Sequence, residues 1–521
     1  MSSASSNFIS LILKALFSLI SIVLICSSSS NAQKLYNESD ISRNLVAAGK
    51  NKSELLKAVS YFKKDKDPLK LEALYFLIAN MDIHLSADYV WINRSHVEVN
   101  VDELKFPNYI AFRQAINEMK SRDEIVLPKE KYSTDLETIS ANILIDNIDN
   151  AFKAWKSSTY RNISFKNFCE YILPYRVTIE PLQNWRSSYS SKYKWISDSL
   201  KSNSIQSVLA YVGSDHKSWW NNTYNNNIRE EPLPRLGGLQ LLFRMTGACE
   251  DIAALQVFTL RSQGIPASYN FVPFWATSTG GHFLNSVFDE KMQHIKFDAT
   301  SSPSVVDLTR EPGKVIRVTY SKQPHILASI EKKDSIPSGF MQANNYLDVT
   351  DEYWETQTVQ FKVPVSNPAI KIAYACVFNG GVWQPIWWGR IDRGTVAFNK
   401  MSKGAVYLPA YYSGGEVLPA GYPKGIGYSG EIELRPDLEN KRSIILQEQE
   451  KYLKFRPDKL YSLYYWDKEW KLVQEKVATG NTKVLTFDEV PSNALLLLIP
   501  EYSQGKERPF MIMKDGKRYW W

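Results

Sequence analysis

The hydrophobic periodicity of this chain changes twice along its 521 residues, which limits it to a multidomain α+β fold. From residue 40 to about 155, Leu45, Leu55, Leu56, Val59, Phe62, Leu69, Leu71, Leu74, Tyr75 and Leu77 recur mostly at spacings of three and four, the period of a helix face. Ile143, Ile145, Ile148 and Phe152 continue the pattern. From about 160 to 322 helix and strand signals mix. From about residue 346, short runs at 358–363, 370–378, 405–408 and 443–446 alternate with clusters of Gly, Pro, Asn and Asp, as in a β-sandwich. One core cannot serve so long a chain, because cores stop growing at about 250–300 residues. The expected organisation is a helical N-terminal region over 33–157, an α+β core over 158–322, and two β-sandwich modules over 346–438 and 439–521. Residues 322–345, broken by Pro324, Pro337 and Gly339, are the expected connection.

Residues 1–32 read as an export signal. Lys14 is their lone charge, residues 15–26 are an apolar and small run, and Ser30-Asn31-Ala32 offers a small-residue cleavage site. About twelve apolar residues are too few to cross a ~30 Å hydrocarbon layer. The expected location is therefore periplasmic, cell-surface or secreted, with cleavage after Ala32. Cys26 follows Ile25, where a lipoprotein signal places a small residue, so lipidation is disfavoured. Cleavage would leave Cys169, Cys249 and Cys376, an odd number that points to at least one unpaired thiol. The net charge of +7 is spread without a block of five or six like charges, and nucleic acid is not an expected partner.

Which thiol stays free, and why, turns on its neighbours. Residues 239–263 are a strong helix candidate, with Cys249 near the middle or the start, and Gly264-Ile265-Pro266 stops it. A helix beginning at Thr246-Gly247-Ala248 would bring backbone N–H groups and the positive dipole end to the sulfur. Taken alone, a single cysteine is more often a buried core residue. His282, however, opens a strand-like run over 282–288, and a second run over 292–297 leads into Asp298. If Phe288 and Met292 close this hairpin, His282 falls directly opposite Asp298, with Cβ atoms about 4.5–5.5 Å apart. A carboxylate there can accept the imidazole N–H and orient the ring as a base.

These stretches resemble the transglutaminase-like superfamily, a papain-type cysteine core whose motif runs from a Cys at a helix start through GIPA to a His opening a strand and an Asp closing the next. The matching residues are Gly247-Ala248-Cys249-Glu250-Asp251, Gly264-Ile265-Pro266-Ala267, Gly281-His282 and Phe297-Asp298-Ala299-Thr300. Leu284 and Ala299 depart from the usual aromatic and proline. Upstream, Arg176, Glu180 and Trp185-Arg186 lie in a segment similar to one in transglutaminase-domain proteins exported by Bacteroidetes-type bacteria. The resemblance implies a papain-like core over 158–322, Arg176 and Glu180 near the cleft as substrate-binding residues, and an indole, Trp219 or Trp220, helping an oxyanion hole. Internal ion pairing of Arg176 and core packing of the indoles are the alternatives.

The expected function is thus an exported thiol enzyme with Cys249 as nucleophile, His282 as base and Asp298 as the orienting residue. It would act on peptide, protein or cell-wall amides through an acyl-enzyme, as a peptidase, an amidase or an acyltransferase. No metal and no cofactor is expected. The rival reading is a non-catalytic surface protein that keeps the core as a scaffold and binds glycan or peptide. Trp383, Trp387 and Trp388 in the β modules would be its glycan-stacking candidates, although packing between sheets is the preferred reading for them.

Overall fold

A computed structural model describes residues 34–223, 231–301, 307–364, 370–449 and 453–521. The leader over 1–32, with Cys26 and Ala32, lies outside the described residues. No helix among those described is long and apolar enough to cross a membrane. The fold is mixed α+β with a β-rich C-terminal half.

The N-terminal helices form where the spacing predicts them, at Glu38–Ala47, Lys52–Phe62, Pro68–Asn80, Tyr109–Ser121 and Ala141–Ser157. Side chains cap four of these starts: Asn37, Asp67, Asn108 and Ser140 each accept a first-turn backbone N–H. The region is not purely helical, however. Leu85–Ile92 pairs antiparallel with both Glu98–Val99 and Leu127–Thr134. The last of these strands, LPKEKYST, is almost wholly solvated and carries no apolar alternation by which to recognise it. Nor does packing break near residue 157, since one hydrophobic core runs continuously from Ile41 to Tyr320.

At the centre, helix Cys249–Ser262 packs on a five-stranded antiparallel sheet. Its strand order is Tyr346–Asp348, Ile316–Val318, Ala267–Val272, His282–Phe288, His294–Phe297. The Asn285 amide ties sheet to helix by donating to the Ala253 carbonyl at 2.9 Å. Tyr346–Asp348, expected to open a β module, is instead the edge strand of this sheet. The short helix Thr350–Tyr353 that follows buries a tyrosine hydroxyl against it. That hydroxyl donates to the Asn285 carbonyl at 3.0 Å and accepts from the Asn270 amide at 2.9 Å. The α+β core therefore extends past residue 346, because three residues of edge strand are too short to show a period.

Beyond it lies an eight-stranded sheet between Thr356–Lys362 and Gly430–Glu433, then two further sheets built from Asp437–Gln447 onward. The connecting segment is packed rather than open: Leu327, Ile336 and Met341 share a core with Cys376, Leu408, Trp466 and Trp521. Trp383 and Trp388 join this core, and Trp387 packs over Lys314 and Tyr346, so all three are packing residues. Phe378, Trp383, Trp466 and Trp470 form an edge-to-face ring cluster with neighbouring centroids 5.1–5.5 Å apart.

Candidate active site

The predicted helix over 239–263 is two helices, Gly238–Arg244 and Cys249–Ser262. Met245 ends the first in a left-handed conformation (φ 55°), and Thr246–Gly247 then pairs in parallel with Asn221–Asn222. This break puts Cys249 at the first position of its helix rather than mid-helix. Its own N–H is among the first-turn donors that find no acceptor within a helix. The next turn is pinned by Asp251, whose carboxylate accepts the Ala248 N–H at 3.0 Å. Cys249 is half-buried, whereas Cys169 and Cys376 are buried, and none of the three is in a disulfide.

The hairpin that carries the other two residues has a different register from the expected one. Phe288 pairs with His294 and Asn285 with Phe297, so a longer turn closes the hairpin, with Met292 in a left-handed conformation inside it. Continued outward, this register sets Leu284 against Asp298 and His282 two residues further along. His282 and Asp298 are therefore diagonal neighbours on one face, a separation that two side chains of this length can bridge. They do so: His282 Nε2 lies 2.7 Å from Asp298 Oδ2. The shift is by two residues, which preserves the face, and this is why the contact survives it.

Asp298 is itself held by neighbours. Its Oδ1 accepts from the Thr300 N–H at 2.9 Å and the Thr300 hydroxyl at 2.6 Å, and Oδ2 also accepts from the Ser301 hydroxyl at 3.0 Å. Burial pushes the carboxyl pKa up, but the bonds from His282 and Thr300 outweigh it and hold it below the usual value. For His282, burial alone lowers the pKa, while hydrogen bonding to Asp298 and to the Cys249 side chain prevails and lifts it to about 9. With Nε2 on Asp298, Nδ1 is the ring nitrogen left for the thiol. Trp275 stacks on the imidazole at 6.1 Å and 20°. Cys249, His282 and Asp298 line one open cleft of about 570 Å³, along with Trp275, Leu284, Thr300 and Arg310.

Of the indole candidates, Trp219 is engaged elsewhere, donating to Asp215 at 3.1 Å. Trp220 is buried, its Nε1–H has no protein partner, and its ring edge lies so close to Gly247 that a Cβ there would meet Cζ2 at 2.8 Å. Trp220 is thus the indole packed against Gly247, two positions before Cys249 in the chain. Arg176 and Glu180 are not in the cleft. Arg176 is buried in a two-point pair with Asp135 (2.6 and 2.5 Å) and also donates to the Ser86 hydroxyl and the carbonyls of Thr178 and Glu180. Glu180 accepts the N–H groups of Val177 and Thr178, both at 2.7 Å. Every charged atom is used internally, so the substrate-binding expectation for this pair is corrected to a structural clamp.

Sequence reasoning missed Trp275 and the bonds of Thr300 and Ser301 to Asp298. Asp298-Ala299-Thr300-Ser301 carried a signal for the latter, since Asp with Thr two residues on forms a local side-chain turn. No family model matches the chain, and no curated protein matches it. Among solved structures, red sea bream transglutaminase is 8% identical over 86% of this chain and 78% of its own, with a TM-score of 0.19, a likeness that carries no argument.

Proposed function

We propose that this protein is a transglutaminase-like cysteine enzyme that acts on amide bonds outside the cell. The observation that carries this reading is the imidazole of His282, bonded at Nε2 to Asp298 and hydrogen-bonded to the side chain of Cys249, which stands at the first position of a helix. In this reading the Cys249 sulfur attacks the amide carbonyl carbon while His282 holds the thiol proton. The oxyanion takes the Cys249 N–H at the helix start. The C–N bond then breaks as the imidazolium protonates the leaving amine, giving a thioester. Water or a second amine, deprotonated by His282, releases the acyl group and restores the thiol. The substrate class is a peptide, protein or cell-wall amide. Export rests on the leader-like residues 1–32.

A peptidyl vinyl sulfone is the test. At pH 7 it should label Cys249 in the wild type and fail to do so in His282→Ala. Equal labelling of the two proteins would remove the reading and leave the non-catalytic scaffold in its place.

A further inference from the structure

The loop over 273–281 joins the central strand Ala267–Val272 to the strand that His282 opens, and it carries Trp275, which stacks on the His282 ring. Few of its own bonds hold it: Trp275 donates its N–H to the Gly280 carbonyl at 2.9 Å, closing the loop on itself. Two sequence-distant segments fix it: residues 310–313, where the Ala276 N–H donates to the Glu311 carbonyl and the Gly313 N–H to the Phe274 carbonyl, both at 2.9 Å, and the eight-stranded sheet, which reaches inside the loop. Asn379, the last residue of strand Ile372–Asn379 in the eight-stranded sheet, is 5% exposed and its side chain sits inside the loop. Its amide Nδ2 donates to the carbonyls of Trp275 (2.9 Å), Ser278 (2.7 Å) and Gly280 (3.0 Å). Its Oδ1 accepts the Gly280 N–H at 3.0 Å.

The placement is not incidental to the β-sheet. Asn379 pairs with Val382 across the two-residue turn Gly380-Gly381, both with positive φ (65° and 85°), the tightest hairpin connection a sheet allows. The turn fixes where the amide stands, and the sheet's other contacts fix where the turn stands. Lys314 Nζ ties the sheet to the α+β core, bonding Asp348 of the core's edge strand and the Asn399 carbonyl of the sheet, each at 2.6 Å.

We infer that Asn379 is a positioning residue of the active site, so that the C-terminal β region completes the catalytic unit rather than being an accessory to it. The inference rests on the proposed thiol chemistry. Asn379 touches no reacting atom; it acts by holding the loop that sets Trp275 against His282 and aims His282 at the thiol.

The test is iodoacetamide labelling of full-length protein as a function of pH, mapped by mass spectrometry to Cys249 and to Cys376. Cys376 lies buried on the same strand as Asn379 and labels only if that strand opens. Asn379→Ala should slow Cys249 labelling at pH 6–7 by roughly tenfold to a hundredfold, the effect of displacing a catalytic group by about an ångström, with Cys376 still protected. Asn379→Ser, which keeps an acceptor for the Gly280 N–H, should fall between the two and stands in if the alanine variant does not fold. Unchanged Cys249 labelling in both variants overturns the inference, and so does a slowing that comes with exposure of Cys376, which would mark general loosening. Failure of the underlying reading looks different: wild-type Cys249 itself would label no faster at pH 6–7 than a free thiol.

Discussion

His282 and Asp298 meet at 2.7 Å along a diagonal of their hairpin, and the same carboxylate is braced by Thr300 at its other oxygen and by Ser301 at the shared one. The brace matters because an aspartate just beyond a strand end is otherwise free to turn to solvent. Held by four donors, it orients the imidazole with little entropy left to lose.

Cys249 should alkylate far faster than either other cysteine. Burial pushes the Cys169 and Cys376 thiols well up, and neither lies beside an imidazole, whereas Cys249 is half-buried beside His282 at a helix start. Peptide mapping after brief iodoacetamide treatment at pH 7 should find the label on Cys249 alone. Comparable labelling at all three sites would contradict the expectation.

Asp298→Asn should leave the fold intact and lower turnover on the order of 10²–10⁴-fold, by loss of ring orientation and proton transfer. It should also change stability with a definite sign. The His282 pKa is raised from 6.5 to about 9, so the charged ring contributes stability that is fully present below pH 6.5 and is lost as pH rises through about 9. The gap in Tm between wild type and variant should therefore narrow over that window. A gap independent of pH would show that His282 is not charged in the fold.

Arg176→Met should destabilise by about 3–5 kcal/mol, because it leaves the buried Asp135 carboxylate with the Tyr175 hydroxyl but without its charged partner. Since Arg176 lies outside the cleft, KM for any amide substrate should not move. Thermal unfolding and steady-state kinetics on one preparation separate these outcomes. A raised KM with unchanged Tm would return Arg176 to the substrate site.

Removing residues 346–521 should give a fragment that aggregates. The cut takes away the edge strand Tyr346–Asp348 and the Tyr353 hydroxyl, leaving the backbone of Ile316–Val318 unpaired on that side and removing one partner each from the buried Asn270 amide and Asn285 carbonyl. Circular dichroism and size-exclusion chromatography would check it. A monomeric fragment with native helix content would mean that the core ends before the edge strand.

Much of this site could be read from the residues themselves. The order of Cys249, Gly264-Ile265-Pro266, His282 and Asp298, the β-rich C-terminal half and the helical spacing near the N-terminus depend on local patterns of period and turn chemistry, which are written in consecutive residues. What could not be read there depended on distant partners. The hairpin register followed from a turn containing a left-handed Met292, for which no glycine or asparagine gave warning. Whether Arg176 faced a cleft or a buried Asp135, whether Trp219 or Trp220 kept its N–H free, and whether Asn379 would lie under the histidine loop were decided by which surfaces came together on folding. A side chain's identity sets what bonds it can make, but only the packed chain decides which partner stands within 3 Å of it.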